Sequence, residues 1–336
     1  MLSVSEALKI ILEHRGGFGS EPIEFLRARG RVLGAPIVAD RDIPPYNRVA
    51  MDGIAIRFEE YKGGCRQFDI LGVVGAGEQG PETVPTSGCV EIMTGAALPP
   101  LFDTVIPYEH IDIQNGRAEI LALQVKSGQN VHWKASDKPK GAVLALPGKV
   151  IGTVEMSVAA SVGASMVHVK RLPKVAVFSS GNELVEVHEL PNAFQIRRSN
   201  VFAIHAGLQS YSIEATYFHL SDDELNIRTQ LAEALNNFDV LILSGGISAG
   251  KFDYIPEVLV ALGVQKKVHK VKQRPGKPFW FGVTQSQKPV FALPGNPIST
   301  LVCFLKYVRP WLDISLGFNR RETWAQLSRD LNFEPE

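Results

Sequence analysis

The sequence predicts an α/β protein with an additional β module, and three observations carry that reading. Beyond about residue 173, buried apolar runs alternate with longer amphipathic stretches. Residues 37–147 instead break into short apolar runs divided by Gly, Pro, Asp and Asn. Helical periodicity flanks that second region on both sides. At 336 residues, 45% hydrophobic and 21% charged, the chain is neither disordered nor fibrous.

Taken in order, the first element is a helix over 3–15, where Val4, Leu8, Ile11 and Leu12 share a face and Ser3 or Ser5 supplies a cap. A second helix is expected over 20–32. The β module follows, with strands through Phe68–Leu71, Cys89–Met93, Asp103–Ile106 and Ala118–Leu121. Helical character returns over 149–168, with Val154, Val158, Ala159, Val162 and Met166 on one side. After Arg171-Leu172-Pro173-Lys174, strands are expected at Val175–Ser179, Asp239–Leu243 and Val290–Leu293, and helices at 199–210, 222–236, 254–262 and 297–308. This alternation implies three layers, a parallel sheet covered on both faces. The expected division is a discontinuous elongated helical and β domain (1–45 with 141–172), a small mostly β domain (46–140), an α/β domain (173–318) and a short tail (319–336).

Charge and cysteine usage exclude several classes. Thirty-five Lys and Arg balance 35 Asp and Glu, so no chain-wide grip on nucleic acid or an anionic membrane is expected, and any anionic ligand must be held locally. No segment approaches the ~20 apolar residues of a membrane span. Cys65, Cys89 and Cys303 are scattered, which argues against a disulfide framework or structural zinc and for a cytoplasmic setting.

Three expected strands run into small turns: Ser179-Ser180-Gly181-Asn182-Glu183, Ser244-Gly245-Gly246-Ile247-Ser248-Ala249-Gly250, and Leu293-Pro294-Gly295-Asn296-Pro297. Ligands of open parallel sheets sit beyond the carboxyl ends of strands, where glycine admits close approach and helix N-termini favour anions. Together these turns read as a phosphate-binding floor, although neither a P-loop nor a G-x-G-x-x-G fingerprint is present. Among Lys266, Lys267, Lys270, Lys272, Arg274 and Lys277, the first three read as a solvated strand. Arg274 and Lys277, across Pro275-Gly276, stand evenly between an oxyanion site and a solvated loop. Glu183 and Asp253 lie beside the turns, where a carboxylate next to phosphate implies bridging Mg²⁺. At least one of Asp222 and Asp223 is expected to be a helix cap. Asp52-Gly53 alone reads as a turn. No arrangement for covalent catalysis is visible.

In sequence order, Asp42-Ile43-Pro44-Pro45, Met51-Asp52-Gly53, Ile92-Met93-Thr94-Gly95-Ala96, Gly128-Gln129-Asn130-Val131, Ser180-Gly181-Asn182-Glu183-Leu184, Ser244-Gly245-Gly246 through Asp253-Tyr254, and Leu293-Pro294-Gly295-Asn296-Pro297 resemble the MoeA-type molybdopterin molybdenumtransferases, relatives of the gephyrin E domain. The resemblance runs from about residue 3 to 317. It implies a molybdopterin-binding α/β domain and an enzyme that inserts molybdenum from molybdate into adenylylated molybdopterin, with Mg²⁺-dependent release of AMP. It further implies a homodimer with a shared active site, and a molybdopterin adenylyltransferase as a pathway partner. The catalytic residues implied are Asp52, Thr94, Glu183, Asp222 and Asp253, with Asp52, Glu183 and Asp253 holding Mg²⁺; the turn reading of Asp52 yields to this one. Implied substrate contacts are Ser179, Ser180, Gly181, Ser199, Asn200, Gly245, Gly246, Ser248, Gly250, Arg274, Lys277, Pro294, Gly295, Asn296, Pro297 and Asp137.

The chain departs from the family pattern at His132-Trp133-Lys134-Ala135-Ser136-Asp137 in place of an Arg-rich stretch, at Asn182 in place of Asp, at Arg198 in place of Asp, and at Arg274 in place of Lys. The family's C-terminal β domain is expected to be absent, since the chain ends some 20 residues after Gly317. The alternatives are a non-catalytic molybdopterin carrier or scaffold, favoured by these departures, and a molybdopterin adenylyltransferase, against which the β module argues.

Overall fold

The computed structural model describes residues 1–247, 253–319, 325–326 and 328. The chain packs as two compact units, one formed by residues 1–35, 146–157 and 165 onward, the other by 36–145 with 158–164.

The first unit is built on a six-stranded sheet in the order Ala215–Leu220, Val175–Ser180, Val240–Ser244, Pro289–Leu293, Trp280–Val283, Gln265–His269. The first four strands are parallel and Trp280–Val283 alone runs against them, pairing antiparallel with Pro289–Leu293 on one side and Gln265–His269 on the other, so the sheet is mixed rather than wholly parallel. Three of the strands escape the sequence reading for a physical reason. Ala215–Leu220 and Gln265–His269 are edge strands with few buried positions, and Lys266 and Lys267 on the latter are the charges that discourage edge-to-edge pairing. Trp280–Val283 is fully buried but only four residues long.

Alternation along the central strands fills two cores. Val175, Val177, Val240, Ile242, Phe291 and Leu293 meet the helices Asn200–Gln209 and Pro297–Leu316, the second being helical throughout with a π-helical stretch at Phe304–Val308. Ala176, Phe178, Leu241, Leu243, Val290 and Ala292 meet Glu224–Asn237 and Ile255–Ala261. A period of two on the strands thus produces the three layers. The last helix runs past the expected stop at 308 to Gly317, whose φ of +79° ends it; Pro310 sits at the start of its final segment, where a missing N–H is tolerated.

The N-terminal helix, Val4–Glu13, begins with a capping box: Glu6 N–H donates to Ser3 Oγ at 3.3 Å and Ser3 N–H to Glu6 Oε2 at 2.8 Å. The helix expected over 20–32 does not form. Ser20–Glu24 is a strand, antiparallel to Met166–Lys170, followed by one 3₁₀ turn at Phe25–Arg27. The helix expected over 149–168 shortens to Thr153–Ser161 for the same reason. Val167 and Val169 are buried while Met166 is 50% exposed, so a period of two replaces the helical period there. In both places a pairing partner more than 140 residues away overrides the local pattern.

The second unit is mostly β, as expected. Its sheet runs Thr104–Pro107, Gly53–Ile56, Gly88–Ile92, Gln67–Val74, Arg117–Ile120, Ile111–Gln114, antiparallel except between Gln67–Val74 and Gly88–Ile92. Ala55, Val90, Ile92 and Val105 build one core, and Ile54, Ile56, Cys89, Phe68 and Ile106 the other. Among the described residues no helix is long and apolar enough to cross a membrane.

Candidate active site

Turns leaving the carboxyl ends of Val175–Ser180, Val240–Ser244 and Pro289–Leu293 open onto one cleft of about 310 Å³. Its lining includes Ser179, Ser180, Gly181 and Glu183 from the first turn, Gly245 and Gly246 from the second, and Pro294, Gly295 and Pro297 from the third. Ser199, Asn200, Asp222 and Asp253 join them. Residues separated by more than 100 positions meet because parallel strands point all their carboxyl ends the same way.

Asn200 fastens this floor. Its Nδ2 donates to Ser244 Oγ at 2.8 Å and to the Gly295 carbonyl at 2.7 Å, tying the start of a helix to the second and third turns. Thr300 Oγ1 adds a 2.6 Å bond to the Pro294 carbonyl. Gly245 adopts φ +97°, and a Cβ there would lie 2.8 Å from the Ser180 carbonyl oxygen, so the second turn can approach the first only with glycine. The glycines do less donating than their sequence suggests. Gly245 N–H is taken by the Leu293 carbonyl at 3.1 Å and Gly181 N–H by the Leu220 carbonyl at 3.3 Å. At these two positions glycine supplies room rather than a donor.

The structure also separates the two adjacent acids. Asp223 caps the helix Glu224–Asn237, accepting from Asn226 N–H at 2.7 Å. Asp222 instead lines the cleft and accepts from Asn182 N–H at 3.2 Å, while its own N–H donates to Asn182 Oδ1 at 3.2 Å. This reciprocal pair holds the turn bearing Glu183 against that helix. Ser179, 2% exposed, places its Oγ 3.1 Å from His219 Nδ1. Burial, then the nearby Arg198 charge, pushes the His219 pKa down, against the opposing pull of Glu186, Asp222 and Glu183.

Arg274 and Lys277 are exposed on the loop before Pro278 and are not among the lining residues. Asn296 is not among them either: its side chain caps the helix beginning at Pro297, accepting from Ser299 N–H at 3.2 Å. Ser248 and Gly250 lie outside the described residues. The cations that do line the cleft are Arg197 and Arg198, which reasoning from turns and charge runs passes over. They are carried in by a parallel ladder of two residues on each side, Leu184–Val185 with Ile196–Arg197, too short to leave a pattern. Their position just ahead of Ser199-Asn200, at the mouth of a helix, was the available clue.

In the β unit, Asp52 is exposed and its Oδ1 accepts from Thr94 N–H at 2.6 Å. That backbone bond, with a lesser contribution from the Thr94 hydroxyl, holds the carboxyl below the usual range. Gly53 is the first residue of a strand paired on both sides, and a Cβ there would run into the Ile106 carbonyl, so Asp52-Gly53 is not a hairpin turn. Asp137 is exposed, 3.6 Å from His132 Nε2. Among the described residues no three His, Cys, Asp or Glu form a ready metal cage.

Two family models match, one for the MoeA N-terminal region (domain I and II) over residues 2–163, the other for a probable molybdopterin binding domain over 176–313. A molybdopterin molybdenumtransferase of Synechocystis is 41% identical over 339 residues, covering 100% of this chain and 85% of that relative. The chain belongs to the molybdopterin molybdenumtransferase family. Another family member, from Staphylococcus epidermidis, is 30% identical over 94% of this chain and 76% of its own length. Among solved structures, the molybdopterin biosynthesis MoeA protein of Pyrococcus horikoshii superposes with a TM-score of 0.83 at 31% identity, over 94% of this chain and 80% of that one. The second matched range holds the whole described cleft lining, and the first holds Asp52, Thr94 and Asp137.

Proposed function

We propose that the chain transfers molybdenum from molybdate to adenylylated molybdopterin with release of AMP. The observation that carries this reading is the convergence of the three glycine-rich turns with Glu183, Asp222 and Asp253 in one cleft of a molybdenumtransferase-family chain. The turns make a close-fitting floor for phosphates. The first turn of Asn200–Gln209, whose Ser199 makes no side-chain cap, offers backbone N–H groups and the positive end of a helix dipole. Arg197 and Arg198 offset ligand charge, and the Asn200 bonds keep these groups in place so that little reorganisation accompanies reaction.

Glu183 and Asp253 fit Mg²⁺, which is commonly held by one or two carboxylates together with substrate phosphates rather than by an all-protein cage. When bound there, Mg²⁺ neutralises charge developing at the phosphoanhydride. Asp222 completes the acidic wall. In the same reading the protein works in the cytoplasm as a homodimer, with Asp52 and Thr94 of one copy serving the other. Asp52 is suited to this because its carboxyl stays ionised and already oriented.

Incubating the purified protein with adenylylated molybdopterin, Mg²⁺ and molybdate tests the proposal. AMP release together with formation of molybdenum-loaded cofactor is expected. Binding of adenylylated molybdopterin without AMP release would instead establish a carrier.

A further inference from the structure

Arg198 is the better-built cation of this unit. It lines the cleft with a side chain only 13% exposed, whereas Arg274 and Lys277 stand on an exposed loop. Its Nη1 lies 3.1 Å from Glu186 Oε1, and Glu186 is not among the cleft-lining residues. Its Nε is buried with no hydrogen-bond acceptor among the described residues. A guanidinium carries five N–H donors in one plane, so a carboxylate bound at one Nη fixes the plane without exhausting it. The other charges on the cleft wall are Glu183, Asp222, Asp253 and the second arginine, Arg197, whose Nε donates to the Glu189 carbonyl at 3.1 Å. An incoming oxyanion therefore meets three carboxylates and needs a fixed cation among them. The buried Nε is closed to a ligand as well as to solvent, so the donors left for one are the guanidinium's remaining Nη N–H groups.

We propose that Arg198 binds a tetrahedral oxyanion in this cleft, phosphoryl or molybdate, through the donors that Glu186 leaves open, with Glu186 acting as its positioning residue. The inference rests on the reading of the cleft as the place where phosphorylated substrate and molybdate bind. Bidentate geometry is the point: a lysine keeps the charge but not the fork.

Calorimetric titration of the full chain with AMP and, separately, with molybdate tests this. Arg198→Met is expected to weaken binding of at least one of the two by roughly 10- to 100-fold, the loss of charge-assisted hydrogen bonds. Arg198→Lys should fall between Arg198→Met and the wild type. The double variant Arg198→Met/Glu186→Gln removes the unpaired carboxylate and should remain as weak as the single one. Arg27→Ala, which removes an exposed arginine elsewhere, should bind as wild type does, and thermal melts confirm that each variant is folded. Loss for AMP alone assigns Arg198 to the phosphoryl group, and loss for molybdate alone assigns it to the metal oxyanion. Unchanged binding in Arg198→Met, recovery in the double variant, or no binding of either probe to the wild type overturns the proposal. Arg198-dependent binding in a protein that releases no AMP sinks the molybdenumtransferase reading and leaves this one standing.

Discussion

The two units place their acids by different means. In the α/β unit, Glu183, Asp222 and Asp253 reach one cleft because parallel strands deliver three distant turns to one edge, and the turns are then pinned by Asn200. In the β unit, Asp52 depends on a single local device, the 2.6 Å bond from Thr94 N–H, beside a strand that only glycine can begin. The first arrangement is distributed over the fold and the second is concentrated in one contact. Damage should therefore spread differently in the two.

The largest effects belong to the cores. Trp311, fully buried with its Nε1–H donating to the His14 carbonyl at 2.8 Å, and Phe68, fully buried in the β unit, each anchor one region. Trp311→Ala and Phe68→Ala should each cost about 3–5 kcal/mol in urea denaturation. Hydrogen exchange should show protection lost first around Arg309–Leu316 in one variant and around Gln67–Val74 in the other. Protection lost equally throughout both units would erase the distinction between them.

Gly245→Ala comes next. The new Cβ would press on the Ser180 carbonyl in a backbone region that disfavours side chains, shifting one turn against another. A displacement of that kind should lower the rate of AMP release by roughly 100-fold, with the melting temperature falling much less than in the core variants. In the β unit, Asp52→Asn should reduce AMP release by loss of charge, and Asp52→Ala by roughly a further 10-fold at most, since Asn keeps the acceptor for Thr94 N–H and Ala does not. Equal effects from the two substitutions would mean that the Thr94 contact contributes nothing.

The smallest effect is a pH dependence confined to the α/β unit. Burial and Arg198 lower the His219 pKa from its ordinary value of 6.5. Below pH 6.5 the unfolded chain therefore binds the proton before the folded one does, and stability falls as pH drops from 6.5 toward the folded-state value. Comparing denaturation midpoints at pH 8 and pH 5.5 should show a steeper loss in the wild type than in His219→Gln. Parallel curves would remove His219 as the cause.

Legibility of the site followed the same division. The turns at Ser179–Glu183, Ser244–Gly246 and Leu293–Pro297 were readable because small residues stood at the end of apolar runs, and the structure gathers them into one cleft. Arg198 is legible only as a departure from the family pattern, since neither turns nor charge runs single it out and the ladder just before it is two residues long, while the conspicuous cations Arg274 and Lys277 lie on an exposed loop. Composition drew attention to the dense charge run, but burial decided which cations line the cleft. Asp222 and Asp223 were indistinguishable by type; capping geometry separated them.

By itself the sequence determined the three-layer plan of the α/β unit, the strand-rich character of the other unit, and the chemistry of the turns. Those features are written in local periodicity and in glycine's freedom, which neighbouring residues suffice to encode. Tertiary structure alone decided that 20–24 and 166–170 pair as strands rather than forming helices, that the sheet is mixed, and that Arg198, held by Glu186, stands at the cleft. Each of those outcomes rests on contacts between residues far apart in the chain or on burial, and neither leaves a period in the sequence.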